Sequence, residues 1–426
     1  MNKVDNLWQK IFDDFGILQE IKKHGFFNIS ADEIRKYREV RLMTKFDHYS
    51  DLPDVFRKNH LAILPLSRRV FVIGPFQCYQ GLKDDLEMKP KYMPLPDVFE
   101  TLSPDTIRGE QAALFAATLA GIMDDFIGEG QSPLVPTVEG RQGSDKFSFK
   151  IKSTNGGNSF RFDVDNSQLE IDLGYENDAC VVLVEAKMFL DSDFLVRQLF
   201  YPYMRWKQYV TKPIHLVYLA YCDGIYKLFQ FQPTGDDYNG LKLIKQANYT
   251  IHKNTISLLD IKNLMNRPLV SEPSIPFPQA NSVERILNML DYLYEKAGAT
   301  SEQVTIENEF VSRQANYYMC AMQYLGLVEG GRGMYQLTPK GVELATSDIK
   351  ARHLGLAGQM IEHEVFRLCL KAALSQGDIP DQQEIVDTMK KSNLYNVNSE
   401  STYIRRSSTI NSWIYWILNL ITPDNE

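Results

Sequence analysis

The chain has 426 residues, of which 44% are hydrophobic and 23% are charged. This length exceeds one ordinary core and predicts several domains, while the composition is typical of globular proteins and argues against extensive disorder. The net charge of −8 argues against a protein that coats nucleic acid through bulk positive charge, although local basic faces are compatible with it.

The five cysteines are scattered and lack the spacing of a zinc site, so a reducing, cytoplasmic location is the simplest expectation. No apolar run approaches the roughly 18 residues that a membrane-spanning helix needs. The start of the chain passes directly into an amphipathic helical pattern. We therefore expect neither a signal peptide nor a membrane anchor.

Residues 1–95 predict an N-terminal domain of helices and short strand-like runs. Two helices are expected before residue 40, and Ser30 with Glu33 forms a capping-box pattern at the start of the second. Basic residues and strand-like runs then alternate up to Gly74. We interpret this domain as a possible DNA-binding domain.

Residues 96–267 predict a mixed sheet flanked by helices. Buried helices are expected over 104–127 and 191–210. The run 180–187 is apolar until it ends in charge, as expected for a central strand that is covered on both faces. The expected strands are 147–151, 159–163, 169–173, 180–187, 215–220 and 226–231.

A proline-bearing stretch over 268–280 is interpreted as a linker. In residues 281–350, two helices precede a hairpin over 328–338, and this order predicts a winged helix. Residues 351–426 are again helical and predict a C-terminal domain. The expected fold class is therefore α/β, in a chain of α+β multidomain organisation.

Charged residues concentrate at the ends of two strands that are expected to be neighbours. If these strands are adjacent, Asp172 lies beside Glu185, and the two-residue period places Glu185 and Lys187 on the same face. The two carboxylates and the Ala186 carbonyl can bind a hard divalent ion, and Lys187 can orient or activate a water that attacks a phosphate. The alternative is structural, with Asp172 capping a loop and Glu185 paired with Lys187.

The sequence around these residues resembles the PD-(D/E)XK nuclease superfamily, and type II restriction endonucleases in particular. The matching segments are Glu-Ile-Asp-Leu-Gly-Tyr-Glu-Asn and, after it, Val-Glu-Ala-Lys. The proline that names the motif is absent, and Ile171 stands before Asp172. The resemblance implies a restriction-endonuclease-like core with DNA-binding domains around it.

The same resemblance implies supporting roles for two residues on the flanking helices. Gln198 matches a supporting glutamine after the catalytic strand, and Glu110 matches an additional metal-binding acid. Their alternatives are a solvated helix residue and an acid that favours a helix N-terminus. Asp163 and Asp165 are rival acids beside the preceding turn.

The helix that begins at residue 312 has the composition of a DNA recognition helix. Its side chains offer donors, acceptors and a stacking ring for phosphates and base edges. The alternative is a winged helix used for protein contact. The residues concerned are Ser312, Arg313, Gln314, Asn316 and Tyr317.

Further basic residues are predicted to contact DNA. Arg405 and Arg406 precede an aromatic stripe in a segment that looks like a second helical DNA-binding unit of restriction enzymes. Arg41 and Lys45 lie in a segment that resembles the leading domain of some restriction endonucleases.

The resemblance thus implies a Mg²⁺-dependent type II restriction endonuclease that cuts double-stranded DNA at a short sequence, in a bacterium or archaeon. Palindromic sites imply a homodimer, and host protection implies a cognate DNA methyltransferase in the same system. Two alternatives are a winged-helix transcription regulator without catalysis and a structure-specific DNA repair nuclease.

Overall fold

The structure is a computed structural model that describes residues 3–83, 85, 88–157, 159–253, 256–307, 312–331, 333–392 and 394–421. The chain divides into two compact units, Met1–Ile251 and His252–Glu426. Helices and strands are mixed along the chain, so the predicted α/β class is confirmed at that level.

The first unit begins with helices packed around a small antiparallel sheet. Its elements are α1 (Lys3–Asp14), α2 (Ile17–His24), β1 (Phe27–Ser30), α3 (Ala31–Arg35), α4 (Val40–Thr44), a 3₁₀ turn (Tyr49–Asp51), α5 (Asp54–Lys58), β2 (Ala62–Pro65) and β3 (Val70–Gly74). β3 lies between β1 and β2. The predicted capping box is present, because the Ser30 hydroxyl accepts the Glu33 N–H while the Glu33 carboxylate accepts the Ser30 N–H.

The rest of the first unit is built on a seven-stranded sheet. Its elements are β4 (Tyr79–Gly81), β5 (Lys91–Tyr92), a 3₁₀ turn (Pro104–Thr106), α6 (Glu110–Leu119), α7 (Ile122–Ile127), β6 (Val135–Gly143), β7 (Lys146–Lys152), β8 (Ser159–Asp165), β9 (Gln168–Glu176), β10 (Val181–Lys187), β11 (Asp193–Leu195), α8 (Arg197–Trp206), β12 (Ile214–Cys222), β13 (Ile225–Gln232) and β14 (Lys242–Thr250). The strand order is β5-β14-β13-β12-β10-β9-β6. The sheet is mixed, since β10 pairs parallel with β12 and antiparallel with β9.

β10 is buried along its whole length, as its apolar run predicts. Val181 and Leu183 pack in a core shared with α8 and the β7–β8 hairpin. Val182 and Val184 pack in a second core shared with α6 and α7. Helices therefore cover both faces of the central strand, and its side chains alternate between the two cores.

Several predicted boundaries differ from the structure. The helix expected over 104–127 is two helices, because Gly121 adopts a left-handed φ of 71° between α6 and α7. The helix expected over 191–210 begins only at Arg197, because residues 193–195 pair with β4 as β11. β6 and β14 were not predicted, since each carries many exposed side chains and lacks a clear apolar alternation.

The second unit is mainly helical. Its elements are α9 (Leu258–Leu264), α10 (Val283–Glu295), α11 (Ser301–Glu307), α12 (Ser312–Tyr324), β15 (Val328–Gly331), β16 (Met334–Leu337), α13 (Pro339–Thr346), α14 (Ile349–Ile361), α15 (Glu364–Gln376), α16 (Gln382–Lys391) and α17 (Glu400–Asn419). One hydrophobic core runs through it from Ile256 to Leu420. The segments predicted as separate domains, 281–350 and 351–426, both contribute to this core.

The stretch over 268–280, interpreted from its prolines as a linker, packs into the second unit. Phe277 is 2% exposed and stacks on Phe366 with a centroid distance of 5.7 Å. The indole N–H of Trp413 donates to the Ala280 carbonyl at 2.7 Å. The prolines thus mark an extended segment that is held by aromatic side chains.

Among the described helices, none has the combination of length and apolar character that crossing a bilayer requires. All five cysteines are free thiols.

His48 links the N-terminal helices to β11. Its Nδ1 donates to the Asp193 carbonyl at 2.6 Å, and the Asp191 carboxylate lies 3.9 Å from the same nitrogen. Burial lowers the pKa of His48, but the interactions with Asp193, Asp191 and Asp51 outweigh it and raise the pKa to about 9. The imidazole is therefore cationic at neutral pH.

We expect His48→Gln to lower the free energy of unfolding by on the order of 1 to 3 kcal/mol at about pH 6. The folded pKa is raised, so the contribution is complete below the ordinary pKa of histidine and is lost as pH rises through about 9. Urea unfolding across this range measures the difference, which should shrink with rising pH. The exposed His24→Gln serves as control, and a pH-independent loss would contradict the ion pairing.

Candidate active site

β9 and β10 separate at the end of their shared ladder. The last pair in register is Leu173 with Val184. Beyond it, the Asp172 carboxylate replaces a backbone partner, because its Oδ2 accepts the N–H of Ala186 at 2.7 Å. β10 remains paired with β12 as far as Lys187. The separation exposes a short stretch of β10 to the side chains of β9.

Glu185 and Lys187 lie on the same face of β10, as the two-residue period predicts. The Lys187 ammonium donates to Glu185 Oε1 at 2.7 Å, and each residue is only 5% exposed. Gln198, in the first turn of α8, donates from Nε2 to the same oxygen at 2.5 Å. α8 and β10 thus hold one carboxylate in a fixed orientation.

The start of α6 approaches the same cluster. Glu110 Oε1 lies 3.9 Å from the Lys187 ammonium. The neighbouring Gln111 donates from Nε2 to the Asp172 carbonyl at 3.2 Å. The structure therefore brings together the five side chains predicted for catalysis: Asp172, Glu185, Lys187, Gln198 and Glu110.

Burial dominates the electrostatics of the two strand acids. It raises the pKa of Asp172 to about 6, with Glu110 and Glu170 adding to the rise and Lys187 and the Ala186 N–H opposing it. Burial likewise raises the pKa of Glu185 to about 8, and the charge of Asp172 raises it further against the effect of Lys187. Two neighbouring buried acids whose charged forms are disfavoured by burial are suited to hold a cation.

Two residues near the cluster were not singled out from the sequence. Gln111 follows Glu110, and its role depends on where α6 meets β9. Asp47 is 3% exposed, and its charge contributes to the raised pKa of Glu185. The predicted DNA contact Lys45 lies 3.3 Å from Asp47 through its ammonium. This part of the N-terminal region therefore borders the cluster, whereas Arg41 is an exposed residue of α4.

The rival acids Asp163 and Asp165 lie elsewhere. Both are exposed on β8, which pairs only with β7 in a two-stranded sheet. Asp163 accepts the Ser148 hydroxyl at 2.5 Å, and Asp165 pairs with Lys146 at 3.2 Å. Each acid thus has a local structural partner.

In the second unit, two sets of predicted DNA-contacting residues approach each other. Tyr317 and Cys320 of α12 lie near enough to Arg406 of α17 to affect the pKa of its guanidinium group. Burial and the charge of Arg405 lower the pKa of Arg406, and Tyr317 and Cys320 oppose this effect. Asn316 is exposed and Gln314 is half-buried, while the side chains of Ser312 and Arg313 lie outside the described residues.

Three segments of the chain match family models. Residues 5–73, 74–250 and 285–422 match domains of unknown function, DUF6996, DUF6997 and DUF7226 respectively. No curated protein and no solved structure matches the chain. The five clustered side chains all lie within the second of these matches.

We expect Asp172→Asn to raise the free energy of unfolding of the metal-free protein by on the order of 1 to 3 kcal/mol at about pH 8, since it removes a buried charge. The folded pKa of Asp172 is raised to about 6, so the gain should vanish below the ordinary pKa of aspartate. Urea unfolding in EDTA measures it. Glu139→Gln, at an exposed position of β6, is the control, and a destabilised Asp172→Asn would contradict the repulsion.

Proposed function

We propose that the protein is a Mg²⁺-dependent endonuclease that hydrolyses double-stranded DNA at a specific short sequence, as type II restriction endonucleases do. The observation that carries this proposal is the cluster of Asp172, Glu185 and Lys187 where β9 and β10 separate. A mixed sheet with α6 and α7 on one face and α8 on the other is compatible with a PD-(D/E)XK core.

The donor set fits a hard divalent cation. Within the described residues, the hydrogen bonds to Glu185 both end on Oε1, and the one to the Asp172 carboxylate ends on Oδ2. Each acid therefore keeps one carboxylate oxygen for a ligand. The Ala186 carbonyl points to the same side of β10 as its N–H, toward Asp172. Asp172, Glu185 and Ala186 would hold Mg²⁺ through oxygen atoms, which this ion prefers.

The surrounding side chains have separate tasks in this proposal. Mg²⁺, when bound, neutralises charge on the scissile phosphate and makes water more acidic. Lys187 donates a hydrogen bond to the phosphate or to the attacking water. Gln198 orients Glu185 from α8, and Glu110 adds negative charge near Lys187 from α6.

The second unit supplies features that support sequence recognition. α10, α11 and α12 are followed by the β15–β16 hairpin, and an isolated antiparallel bridge joins Ala299 to Tyr335. This is the element order of a winged helix, in which α12 would be the recognition helix.

α12 and α17 carry polar side chains suited to such a contact. Gln314 of α12 and Arg406 of α17 are each half-buried. Arg405 is exposed next to Arg406 on α17. Guanidinium groups bind phosphates and guanine edges in bidentate geometry, and amides bind adenine. We therefore assign both helices to one DNA-contacting surface.

Recognition of a palindromic sequence would pair two copies of the chain about a two-fold axis, so a homodimer belongs to this proposal. A cognate DNA methyltransferase would protect the host genome.

The decisive test incubates the full chain with unmethylated phage DNA in Mg²⁺ or in EDTA. We expect discrete fragments with Mg²⁺ only, because recognition of a specific short sequence restricts cutting to few positions. Lys187→Ala should reduce the cleavage rate by roughly 10²-fold or more, as expected when a group that assists proton transfer is lost. Lys22→Ala, an exposed cation of α2, should cleave normally. Fragment gels and end sequencing provide the readout.

Intact DNA under all conditions, with binding retained, would contradict the nuclease proposal and favour a regulator. Cleavage that depends on Lys187 but gives no discrete bands would favour a nuclease that recognises DNA structure.

For the recognition surface, we expect the double substitution Arg405→Ala and Arg406→Ala to raise the Kd for cognate DNA by roughly tenfold or more. It should also reduce the slope of log affinity against log salt by about one for each lost phosphate contact. Fluorescence anisotropy in Ca²⁺ at several salt concentrations measures both. Lys371→Ala on α15 is the matched cation control, and equal losses in both variants would contradict a specific surface.

A further inference from the structure

Three side chains with different metal-binding atoms meet at the start of β10, at the end opposite to Lys187. Glu129 follows α7, Cys180 directly precedes β10, and His215 is the second residue of β12. His215 Nε2 lies 3.0 Å from Glu129 Oε2, and these atoms and the Cys180 sulfur all lie within 4.8 Å of one another. One ion can therefore contact all three with small side-chain adjustments.

Neighbouring residues hold two of these groups in place. The buried amide of Gln230 lies 2.9 Å from His215 Nδ1 through its Nε2. If the Gln230 amide is rotated by half a turn, its oxygen accepts a hydrogen bond from His215 Nδ1–H. The lone pair of His215 Nε2 can then bind a metal ion. Asn177 Oδ1 accepts the N–H groups of Ala179 and Cys180 at 2.9 and 3.0 Å and so fixes the turn that carries the thiol.

Metal-binding histidines almost always use their second ring nitrogen in this way, with a polar side chain or carbonyl behind them. The pair His215–Gln230 thus has the arrangement of a ligand with its orienting partner. Gln230 is 4% exposed, so this contact is protected from solvent.

The charge of Glu129 also favours a cation at this place. A divalent ion that binds the Cys180 sulfur displaces the thiol proton and offsets the charge of Glu129.

We propose that Glu129, Cys180 and His215 bind one Zn²⁺ ion. Sulfur and imidazole donors suit this borderline-soft ion and disfavour Mg²⁺, which prefers oxygen ligands. Three protein ligands leave the fourth tetrahedral position for water or another ligand. The ion would join the segment after α7 to the N-terminal ends of β10 and β12. This site stands independently of the proposed nuclease function.

Co²⁺ titration of the full chain under reducing conditions tests the proposal, with Co²⁺ as the spectroscopic probe for Zn²⁺. We expect a thiolate-to-cobalt charge-transfer band and intense visible bands of tetrahedral Co²⁺, both abolished by Zn²⁺ but not by excess Mg²⁺. Cys180→Ser should remove the charge-transfer band. Cys222→Ser changes a different buried thiol, at the end of β12, and should retain the charge-transfer band.

Two further variants keep the test valid if Cys180→Ser unfolds. Glu129→Gln changes an exposed side chain, and Gln230→Ala removes the buried amide that orients His215. Each should weaken Co²⁺ binding by roughly 10- to 100-fold. Asp172→Asn should leave the spectrum unchanged, because it affects only the other cluster. A wild-type protein without a charge-transfer band, or a band that is lost equally in Cys222→Ser, would overturn the proposal.

Discussion

The candidate site depends on one buried acid–base pair at the end of a central strand. Glu185 and Lys187 are each 5% exposed, and the Glu185 carboxyl group lies 2.7 Å from the Lys187 ammonium. Moving a charge out of water costs several kcal/mol per ion, and this cost is offset only when hydrogen bonding is complete. Gln198 of α8 donates one such hydrogen bond to Glu185. Pairing with β12 continues as far as Lys187 and fixes the backbone of β10 there. The cluster therefore requires the helix and the sheet to stay in fixed register.

Much of this cluster could be predicted from the sequence. The unbroken apolar run before Glu185 requires a strand covered on both faces, and the two-residue period then places Lys187 beside Glu185. Asp172 follows from antiparallel pairing with the preceding strand. Gln198 was predicted from the family resemblance alone, because its hydrogen bond to Glu185 depends on where α8 packs. Asp47 could not be predicted, because its approach to Glu185 depends on tertiary packing of the N-terminal region.

Errors in the fold prediction arose where long-range pairing overrides local pattern. Residues 193–195 continue an apolar helical pattern, yet they form β11 because a strand partner, β4, lies beside them. β6 is an edge strand that contains Pro136 and two glycines, so its sequence lacks the alternation by which half-buried strands are recognised. In contrast, β10 is marked by its unbroken apolar run, and its observed limits, Val181–Lys187, agree closely with the expected strand over 180–187.

The two proposed cation sites lie at opposite ends of β10 and differ in the chemistry of their ligands. The end near Lys187 offers carboxylate and carbonyl oxygens, whereas the end near Cys180 offers sulfur and imidazole nitrogen. A strand of this length spans roughly 20 Å, so the two sites share no ligand. Because hard and borderline-soft ions prefer different donors, the two proposed sites would bind Mg²⁺ and Zn²⁺ without competition between the ions.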